Sequence, residues 1–308
     1  MGVTKTRNDA GHHRCFVTRR GNAPARAALT AVSLLFATPA SAQLDPPAWT
    51  RPTAPFRILG DIWYVGTEGL AAYLIKTPRG AILLDATMAE NVPAIEANIV
   101  ATGTKLRDVK YLLVSHAHFD HAAGDAAMVA ATGAKVVAGV GDVAALESGI
   151  PPGEVSYGVI KFPPVKVSRG VRDGDTLSLG GTTLTAIATP GHTPGNTSWT
   201  MRQGKLTVVF PGSLTVAGNL LVGNKRYPGI VPDFRASFAR MAGVKADVVL
   251  PAHPELADVI GRSRRGETYV APGLLPEMVA KARVAFDADL AKQHAAVTPP
   301  AAPDRPAK

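Results

Sequence analysis

From residue 56 onward the chain alternates short apolar runs with breaks that are rich in glycine, proline and charged residues. The first three runs are RILGDIWYVG, AAYLIKT and GAILLDA, and each has the length and the residue types of a strand. Glycines and a Pro-Arg-Gly break separate them, which indicates turns. The pattern therefore predicts consecutive antiparallel strands at the start of the folded region.

Helical spacing of apolar residues follows in AENVPAIEANIVATG, and this stretch ends at Gly103, as helices commonly end at glycine. Two further apolar runs, VKYLLVS and AKVVAGV, predict strands. The stretches DAAMVAATG and GDVAALESG predict short helices beside them. The middle of the chain is thus expected to alternate strands and helices.

The second half of the chain repeats this mixture without an internal repeat of sequence. DTLSLGGTTLTAIATPGH and NTSWTMRQGKLTVVFPGS predict hairpins, and ADVVLPAH predicts a strand. PDFRASFARMAGV and the amphipathic stretch PEMVAKARVAFDADLAKQ predict helices. Two strand-rich halves that each carry helices predict an α/β fold in which two sheets stack face to face with helices outside.

The two ends of the chain differ from this folded region. Residues 1–42 are organised like a secretory signal peptide, with basic residues, an apolar run of about a dozen residues from Ala27 to Thr38, and small residues before Gln43. The apolar run is too short to span a bilayer; the competing interpretations are a membrane anchor or a buried N-terminal helix. We predict export to the periplasm, one domain over residues 43–294, and a disordered proline- and alanine-rich tail over residues 295–308.

Composition and charge narrow the classes of partner. The whole chain carries a formal charge of +9, but residues 1–42 hold six basic residues and one acidic residue, so the mature chain carries +4. Such a mild excess gives no reason to expect nucleic acid, and we interpret the short cluster at Arg262–Arg265 as a solvated loop. We expect a monomer that acts on a small molecule, without association to a membrane after signal cleavage.

The single cysteine of the chain, Cys15, lies in the predicted signal. The mature protein therefore has no disulfide and no thiolate metal ligand. Its stability has to come from a packed core, and hydrophobic residues make up 46% of the chain, which is enough to build one.

Histidine is concentrated in one stretch, VSHAHFDHAAGD, which contains three of the eight histidines of the chain. Each candidate polar group follows an apolar strand, and such groups converge at one edge of an α/β sheet. Imidazole and carboxylate donors without sulfur suit zinc, with iron and manganese as alternatives. The candidate metal ligands are His116, His118, Asp120, His121, His192 and His253.

The spacing H-x-H-x-D-H has a geometric meaning. Side chains at positions i and i+2 of an extended stretch point the same way, so His116 and His118 can hold one ion together. Asp120 and His121, just past the turn, can face a second ion, and two later histidines complete the two spheres. Three protein ligands per ion leave open positions, which is typical of a catalytic site. The alternative is that a lone histidine after a strand is an ordinary polar residue.

Two other residues have simpler interpretations. Asp125, at the start of the next predicted helix, is expected to be a structural or capping residue, and His294, near the tail, is expected to be solvated.

The stretches SHAHFDHAAG, TPGHTPGNTSW and LPAH resemble three motifs of the metallo-β-lactamase superfamily, in the same order. The resemblance extends from Phe56 to about Lys292 and implies an αββα sandwich with metals at one edge. A subclass with a cysteine ligand is excluded because the predicted mature chain has no cysteine, and a subclass with a single zinc has asparagine where this chain has His116. The resemblance therefore implies subclass B3, with two Zn²⁺ ions. His116, His118 and His192 would hold one ion, and Asp120, His121 and His253 the other.

The resemblance also distinguishes between branches of the superfamily at Ser213. Thioesterase and lactonase relatives generally have a bridging aspartate there, whereas this chain has Gly212-Ser213. In subclass B3 this serine implies a contact with water or with the substrate carboxylate, and Thr215 implies a second substrate-binding hydroxyl. The alternative is that both are ordinary loop hydroxyls. The chain departs from the family pattern at Ala86 and after His253, beside the expected site, which leaves the substrate range open.

These features together predict a zinc-dependent hydrolase that opens the β-lactam ring of penicillins, cephalosporins and carbapenems. Zinc lowers the pKa of bound water to about 7, which provides a hydroxide nucleophile at neutral pH. Asp120 is expected to position this nucleophile and to be the catalytic residue. The alternatives are another exported hydrolase of the superfamily, such as a lactonase or thioesterase with weak β-lactamase activity, and a non-enzymatic zinc carrier.

Overall fold

The computed structural model describes residues 45–297 and contains two stacked β-sheets. The first sheet has seven strands in sequence order, of which β1 to β4 are antiparallel neighbours and β4 to β7 are parallel neighbours. The antiparallel start that the apolar pattern predicts is therefore confirmed. The strands are β1 (Phe56–Leu59), β2 (Ile62–Tyr64), β3 (Tyr73–Thr77), β4 (Gly80–Leu84), β5 (Val109–Val114), β6 (Lys135–Gly139) and β7 (Arg169–Val171).

The second sheet has five strands in the order β12-β11-β10-β9-β8. The two predicted hairpins are both present, β8 with β9 and β10 with β11, and β12 joins parallel to β11. Only two residues of the predicted strand ADVVLPAH pair in this way. The strands are β8 (Thr176–Leu179), β9 (Thr182–Ala188), β10 (Thr197–Gln203), β11 (Leu206–Phe210) and β12 (Val248–Val249).

Helices cover the outer face of each sheet. The helix α5 buries Phe234, Phe238 and Met241 along one stripe, at the spacing expected of a helix that packs on a sheet. It contacts α7, which buries Phe286 against the same aromatic rings. The helices are α1 (Val92–Ala101), α2 (Phe119–Ala122), α3 (Asp125–Thr132), α4 (Val143–Ser148), α5 (Ile230–Ala242), α6 (Val259–Arg265) and α7 (Leu274–Val297).

Three apolar clusters separate these elements into four layers. One lies between the sheets and includes Tyr64, Trp199 and Phe210. A second packs Ile95 of α1 against the outer face of the first sheet, and a third packs the α5 and α7 side chains on the second sheet. The predicted α/β sandwich, with two sheets inside and helices on both outer faces, is confirmed.

Several local predictions differ from the structure. The arginine cluster at 262–265 is the last turn of α6 and not a loop, and the last three residues of α7, 295–297, are helical although they were assigned to the tail. Residues 1–44 and 298–308 lie outside the described residues, so the signal peptide and the rest of the tail stay predictions. Within residues 45–297, no helix combines the length and the apolar character needed to cross a bilayer.

The direction of the strands places the candidate site. In the first sheet β4 and β5 run parallel, and in the second sheet β9 and β11 run parallel because each is antiparallel to β10. The loops that carry the candidate residues all leave the carboxyl ends of strands: Asp85 follows β4, His116 follows β5, His192 follows β9, Ser213 follows β11 and His253 follows β12. The convergence at one edge that the sequence predicts is therefore observed.

Candidate metal centre

Three imidazole rings meet at one point of this edge. His192 Nε2 lies 2.9 Å from His118 Nδ1 and 3.1 Å from His116 Nε2, and all three side chains are buried. We call these residues the three-histidine cluster. His116 and His118 lie in the same cluster, as the H-x-H spacing predicts. The stretch 115–118 is nevertheless a bend beyond β5, and the two rings present different nitrogens.

Hydrogen bonds on the outer side of two rings fix their orientation. His192 Nδ1 donates to the carbonyl oxygen of Thr215 at 2.7 Å. His116 Nδ1 lies 3.0 Å from Ser115 Oγ, and that hydroxyl in turn donates to Asp85 Oδ2 at 2.7 Å. With Nδ1 protonated in both rings, Nε2 carries the lone pair that faces the other rings.

The electrostatics of the three-histidine cluster fit a cation. Burial lowers the pKa of His118 to about 4 and holds the pKa values of His116 and His192 well below the usual range, so all three rings are neutral at pH 7. Lone pairs that face one another at these distances repel unless a positive charge lies among them. Zinc is commonly held by neutral imidazole nitrogens, so the donor set fits zinc.

A second group of donors lies directly beside the first. His121 Nε2 is 3.2 Å from both His253 Nε2 and Asp120 Oδ2, and the last two atoms are 3.5 Å apart. We call these three residues the mixed cluster. Ligand atoms of His116, Asp120 and His121 also lie within 4.8 Å of one another, so the two clusters adjoin. The structure thus brings together all six predicted ligands.

The mixed cluster concentrates negative charge around His121. Burial by itself lowers the pKa of His121, but Asp120 and Asp85 outweigh this effect and raise it to about 10. Burial would raise the pKa of Asp120, yet His121 and His253 hold it well below the usual range, so the carboxylate is ionised. A divalent cation at Nε2 can take the place of the proton, because Nδ1 of His121 keeps its partner, Asp85 Oδ2, at 3.2 Å.

Asp85 is a functional residue that the sequence interpretation missed. Its carboxylate accepts hydrogen bonds from the backbone N–H and the hydroxyl of Ser115 and faces His121, so it supports both clusters from behind. The backbone of Asp85 has φ 59°, a strained conformation for a residue with a side chain. One feature of the sequence could have identified Asp85: it directly follows an apolar strand, in LLDAT, as the predicted ligands follow strands in their own motifs.

Ser213 and Thr215 lie close to the predicted ligand His192, whose Nδ1 contacts the Thr215 carbonyl, and within residues 45–297 neither hydroxyl forms a hydrogen bond with a predicted ligand. The two hydroxyls are 3.0 Å apart, and Ser213 is held by its backbone N–H, which donates to Asn196 Oδ1 at 2.9 Å. Both residues and His253 line a cavity of about 410 Å³ whose opposite wall is formed by α7. This volume suits a small molecule.

An aromatic wall closes another side of the mixed cluster. The ring of Trp49 lies 5.6 Å from the ring of His253 and 6.2 Å from that of Phe119, measured between centroids. The carbonyl oxygen of Trp49 accepts hydrogen bonds from Thr67 Oγ1 and Asn91 Nδ2, which anchor the segment that carries the indole. The segment before β1 therefore contributes to the surroundings of the site.

The structure also shows where Asp125 and His294 lie, the two residues that the sequence did not assign to the metal site. Asp125 is the first residue of α3 and fully buried, and neither of its carboxyl oxygens has a hydrogen-bond partner within residues 45–297. Asp125 belongs to neither group of donors, and in the described part of the chain it makes no hydrogen bond that would cap the helix. His294 lies exposed on the last turn of α7, far along the chain from the other histidines.

Comparison with known proteins agrees with this geometry. The family model of the metallo-beta-lactamase superfamily matches residues 66–253. The chain is similar to the crystal structure of BJP-1, a subclass B3 metallo-beta-lactamase of Bradyrhizobium japonicum, with 44% identity over 82% of this chain and 99% of that chain and a TM-score of 0.77. The FEZ-1 metallo-beta-lactamase from Legionella gormanii is 37% identical over 80% of this chain and 98% of that chain, with a TM-score of 0.73.

Among curated proteins, the hydroxyacylglutathione hydrolase of Acidiphilium cryptum is 26% identical over 191 residues, which are 61% of each chain. The matched region thus spans less than two thirds of that relative. The family model, by contrast, covers more than half of this chain and ends at the predicted ligand His253. The chain therefore belongs to the metallo-beta-lactamase superfamily.

Proposed function

We propose that the protein is a hydrolase that uses two zinc ions to open the β-lactam ring. The family and the donor clusters support a metal-dependent hydrolase. The observation that carries the proposal is the pair of adjoining three-donor clusters at one sheet edge, made only of imidazole and carboxylate. The similarity to subclass B3 structures, which extends over nearly the whole of those chains, supports the β-lactam as substrate.

The number and kind of the ions follow from the donors in this proposal. The three-histidine cluster would hold one zinc ion and the mixed cluster the other. When bound, zinc supplies Lewis acidity and lowers the pKa of water to about 7. Three protein donors per ion leave room for water and substrate.

The residues of the chain then have distinct tasks. Asp120 is ionised and is the only carboxylate among the six donors, so it is the group that can orient the attacking water and hold its proton. Asp85 and Ser115 orient imidazoles and do not contact the substrate. The hydroxyls of Ser213 and Thr215, on the wall of the cavity, can donate hydrogen bonds to the substrate carboxylate.

A second candidate function is hydrolysis of a thioester. Curated relatives named hydroxyacylglutathione hydrolase favour it, at 26% to 38% identity over part of their length. Ser213 speaks against it, because the resemblance places a bridging aspartate at this position in thioesterase relatives. The two candidates share the metal clusters and differ in the substrate.

Parallel assays of the purified protein separate these functions. We expect rapid hydrolysis of nitrocefin and meropenem, much slower hydrolysis of an acyl-glutathione thioester and of an acyl lactone, and loss of all activity in EDTA with recovery on addition of zinc. Preference for the thioester would overturn the β-lactam proposal. Hydrolysis that survives exhaustive EDTA treatment would overturn the metal mechanism.

A further inference from the structure

Asp142 is a buried carboxylate that lies between a loop of the first sheet and a loop of the second sheet, both of which carry predicted metal ligands. It is not itself one of these ligands. It is the last residue of a short 3₁₀ helix, Val140–Asp142, that follows β6, and it is 1% exposed. Its Oδ2 accepts hydrogen bonds from the backbone N–H of Ala117 at 2.8 Å and from the hydroxyl of Thr193 at 2.6 Å, and its Oδ1 accepts one from the backbone N–H of Gly195 at 2.7 Å. All the hydrogen bonds that reach this side chain therefore come from donors in other loops.

These donors belong to the two loops that supply the three-histidine cluster. Ala117 lies between His116 and His118, in the loop that follows β5 of the first sheet. Thr193 is the neighbour of His192, in the loop that follows β9 of the second sheet. One carboxylate thus joins the backbone of two loops whose imidazole nitrogens lie 2.9 to 3.1 Å apart.

Close backbone packing brings the segment that carries Asp142 against the loop that carries His192. A Cβ atom on Gly195 would lie 2.2 Å from the backbone nitrogen of Asp142, and a Cβ on Gly139 would lie 2.0 Å from the carbonyl oxygen of Gly195. Real Cβ atoms do not approach other atoms so closely, so only glycine fits at both positions. The segment 139–142 is therefore pressed directly against the loop that carries His192.

We propose that Asp142 is a positioning residue that sets the spacing of the three-histidine cluster and so determines its affinity for zinc. The proposal rests on the zinc site of the proposed function. Partners outside the ligand sphere typically change metal affinity by about 10- to 100-fold when they are removed. Asp142 acts one step further out, through the backbone beside the ligands, so we expect an effect of about tenfold.

The chemistry of the three bonds explains why this residue is a carboxylate. Two N–H groups and one hydroxyl all donate, and an ionised carboxylate is the side chain that only accepts. An asparagine at this position would direct its NH₂ group at one or more of these donors. Because a separate backbone bond from Thr197 N to Ser115 O, 2.9 Å long, also joins the two loops, variants of Asp142 keep a second connection that supports folding.

The experiment compares zinc affinity with the stability of the metal-free protein. Zinc is removed, and its dissociation constant is measured by competition with a chromogenic chelator at pH 7.5 for wild type, Asp142→Asn, Thr193→Val and Thr193→Ser. Thr193→Val keeps the shape of the side chain without its hydroxyl, and Thr193→Ser restores the hydroxyl. Thr132→Val is the control, since Thr132 is another buried threonine, at the far end of α3 from the cluster.

We expect Asp142→Asn and Thr193→Val to weaken zinc binding about tenfold, Thr193→Ser to bind zinc as wild type does, and Thr132→Val to change only the melting temperature of the metal-free protein. If Asp142→Asn fails to fold, the two Thr193 variants still decide the question. Unchanged zinc affinity in folded Thr193→Val would overturn the positioning role. A wild type that binds no zinc would overturn the proposed function instead, so the two failures are distinguishable.

Discussion

At the scale of single residues, the orientation of His116 and His192 depends on the group that each ring contacts on the side away from the cluster. His116 and His192 present Nε2 to the cluster because their Nδ1 atoms are engaged by Ser115 and by the Thr215 carbonyl. His118 presents Nδ1 instead, and its Nε2 is buried without a hydrogen-bond partner among the described residues. Ring orientation therefore depends on neighbours that are not ligands.

Removal of the His118 ring tests the cluster most directly. His118→Ala deletes one of three nitrogens at the three-histidine cluster, so we expect turnover to fall at least about a thousandfold if catalysis depends on the ion held there. The circular dichroism spectrum and cooperative unfolding should persist, because the sheets do not depend on this side chain. His294→Ala, on the last turn of α7, is the matched control and should retain full activity. Normal turnover by His118→Ala would contradict the ligand assignment.

The burial of Asp125 lowers the free energy of unfolding by an amount that depends on pH. Burial, together with the nearby Asp85, raises its pKa well above the model-compound value of 3.8. A carboxyl group whose pKa is raised on folding favours the folded state below about pH 4 and loses that contribution as the pH rises. No described residue donates a hydrogen bond to either oxygen, and the attraction of His121 only partly opposes the rise in pKa.

Asp125→Asn should therefore stabilise the protein, and more so at high pH. We expect a gain in unfolding free energy of about 1 to 3 kcal/mol at pH 8, shrinking as the pH falls toward 4. The measurement is urea unfolding at fixed zinc across this pH range. Asp61→Asn, at an exposed position, is the control and should change stability little at any pH. A gain that does not depend on pH would show that ionisation of Asp125 is not the cause.

At the scale of elements, α7 serves two purposes. Its inner face buries Leu275, Val279 and Phe286 in the cluster that covers the second sheet. A neighbouring stripe, which includes Met278, Ala282 and Ala285, forms the far wall of the cavity beside Ser213 and His253. The two alanines on this stripe leave the cavity open, so the helix that covers the second sheet also forms one wall of the cavity.

Filling the cavity from the helix should change substrate choice. Ala285→Trp places an indole on the cavity wall, so KM for a cephalosporin with a large apolar substituent should rise about tenfold or more, while kcat for a compact carbapenem stays within about twofold. Arg283→Trp adds the same ring to an exposed position of α7 that does not line the cavity, and it should leave both constants unchanged. Equal kinetics for the two variants would mean that the substrate does not use this cavity.

At the scale of the whole molecule, the candidate metal centre joins the two sheets. The loop after β5 and the short helix α2 provide four of the six donors, and the loops after β9 and β12 of the second sheet provide the other two. The unfolded chain spreads these donors from residue 116 to residue 253. A cation bound by the folded protein alone therefore stabilises the contact between the sheets.

Metal removal should lower the melting temperature as a consequence. At a zinc concentration about 100 times Kd, binding contributes about 2.7 kcal/mol, which for a domain of this size corresponds to about 5 to 10 °C. Differential scanning fluorimetry in EDTA and in excess zinc measures this shift. His118→Ala should show a much smaller one, and equal melting temperatures of wild type in both conditions would contradict a cation that connects the sheets.

Sequence alone was enough to predict most strands and helices, although not β7, α2 or α6, and it also predicted the stacking of two sheets and the types of donor at the site. The signal-like character of the first 42 residues stays a prediction. These features are encoded locally, because burial imposes a period on a few neighbouring residues and because polar residues that follow parallel strands must reach the same edge. The two-residue strand β12 and the one-turn helix α2 were the hardest elements to predict, because so short an element shows no periodicity of apolar residues.

Other features could be seen only in the folded arrangement: the ring nitrogen that faces the cluster, the support of His121 by Asp85, and the cavity between α7 and Ser213. The clearest case is Asp142, whose partners Ala117 and Thr193 lie 25 and 51 residues away along the chain. A hydrogen bond across such a separation has no period and no local pattern in the sequence. It exists because two packed sheets bring their loops to one edge, and its geometry is fixed only when they pack.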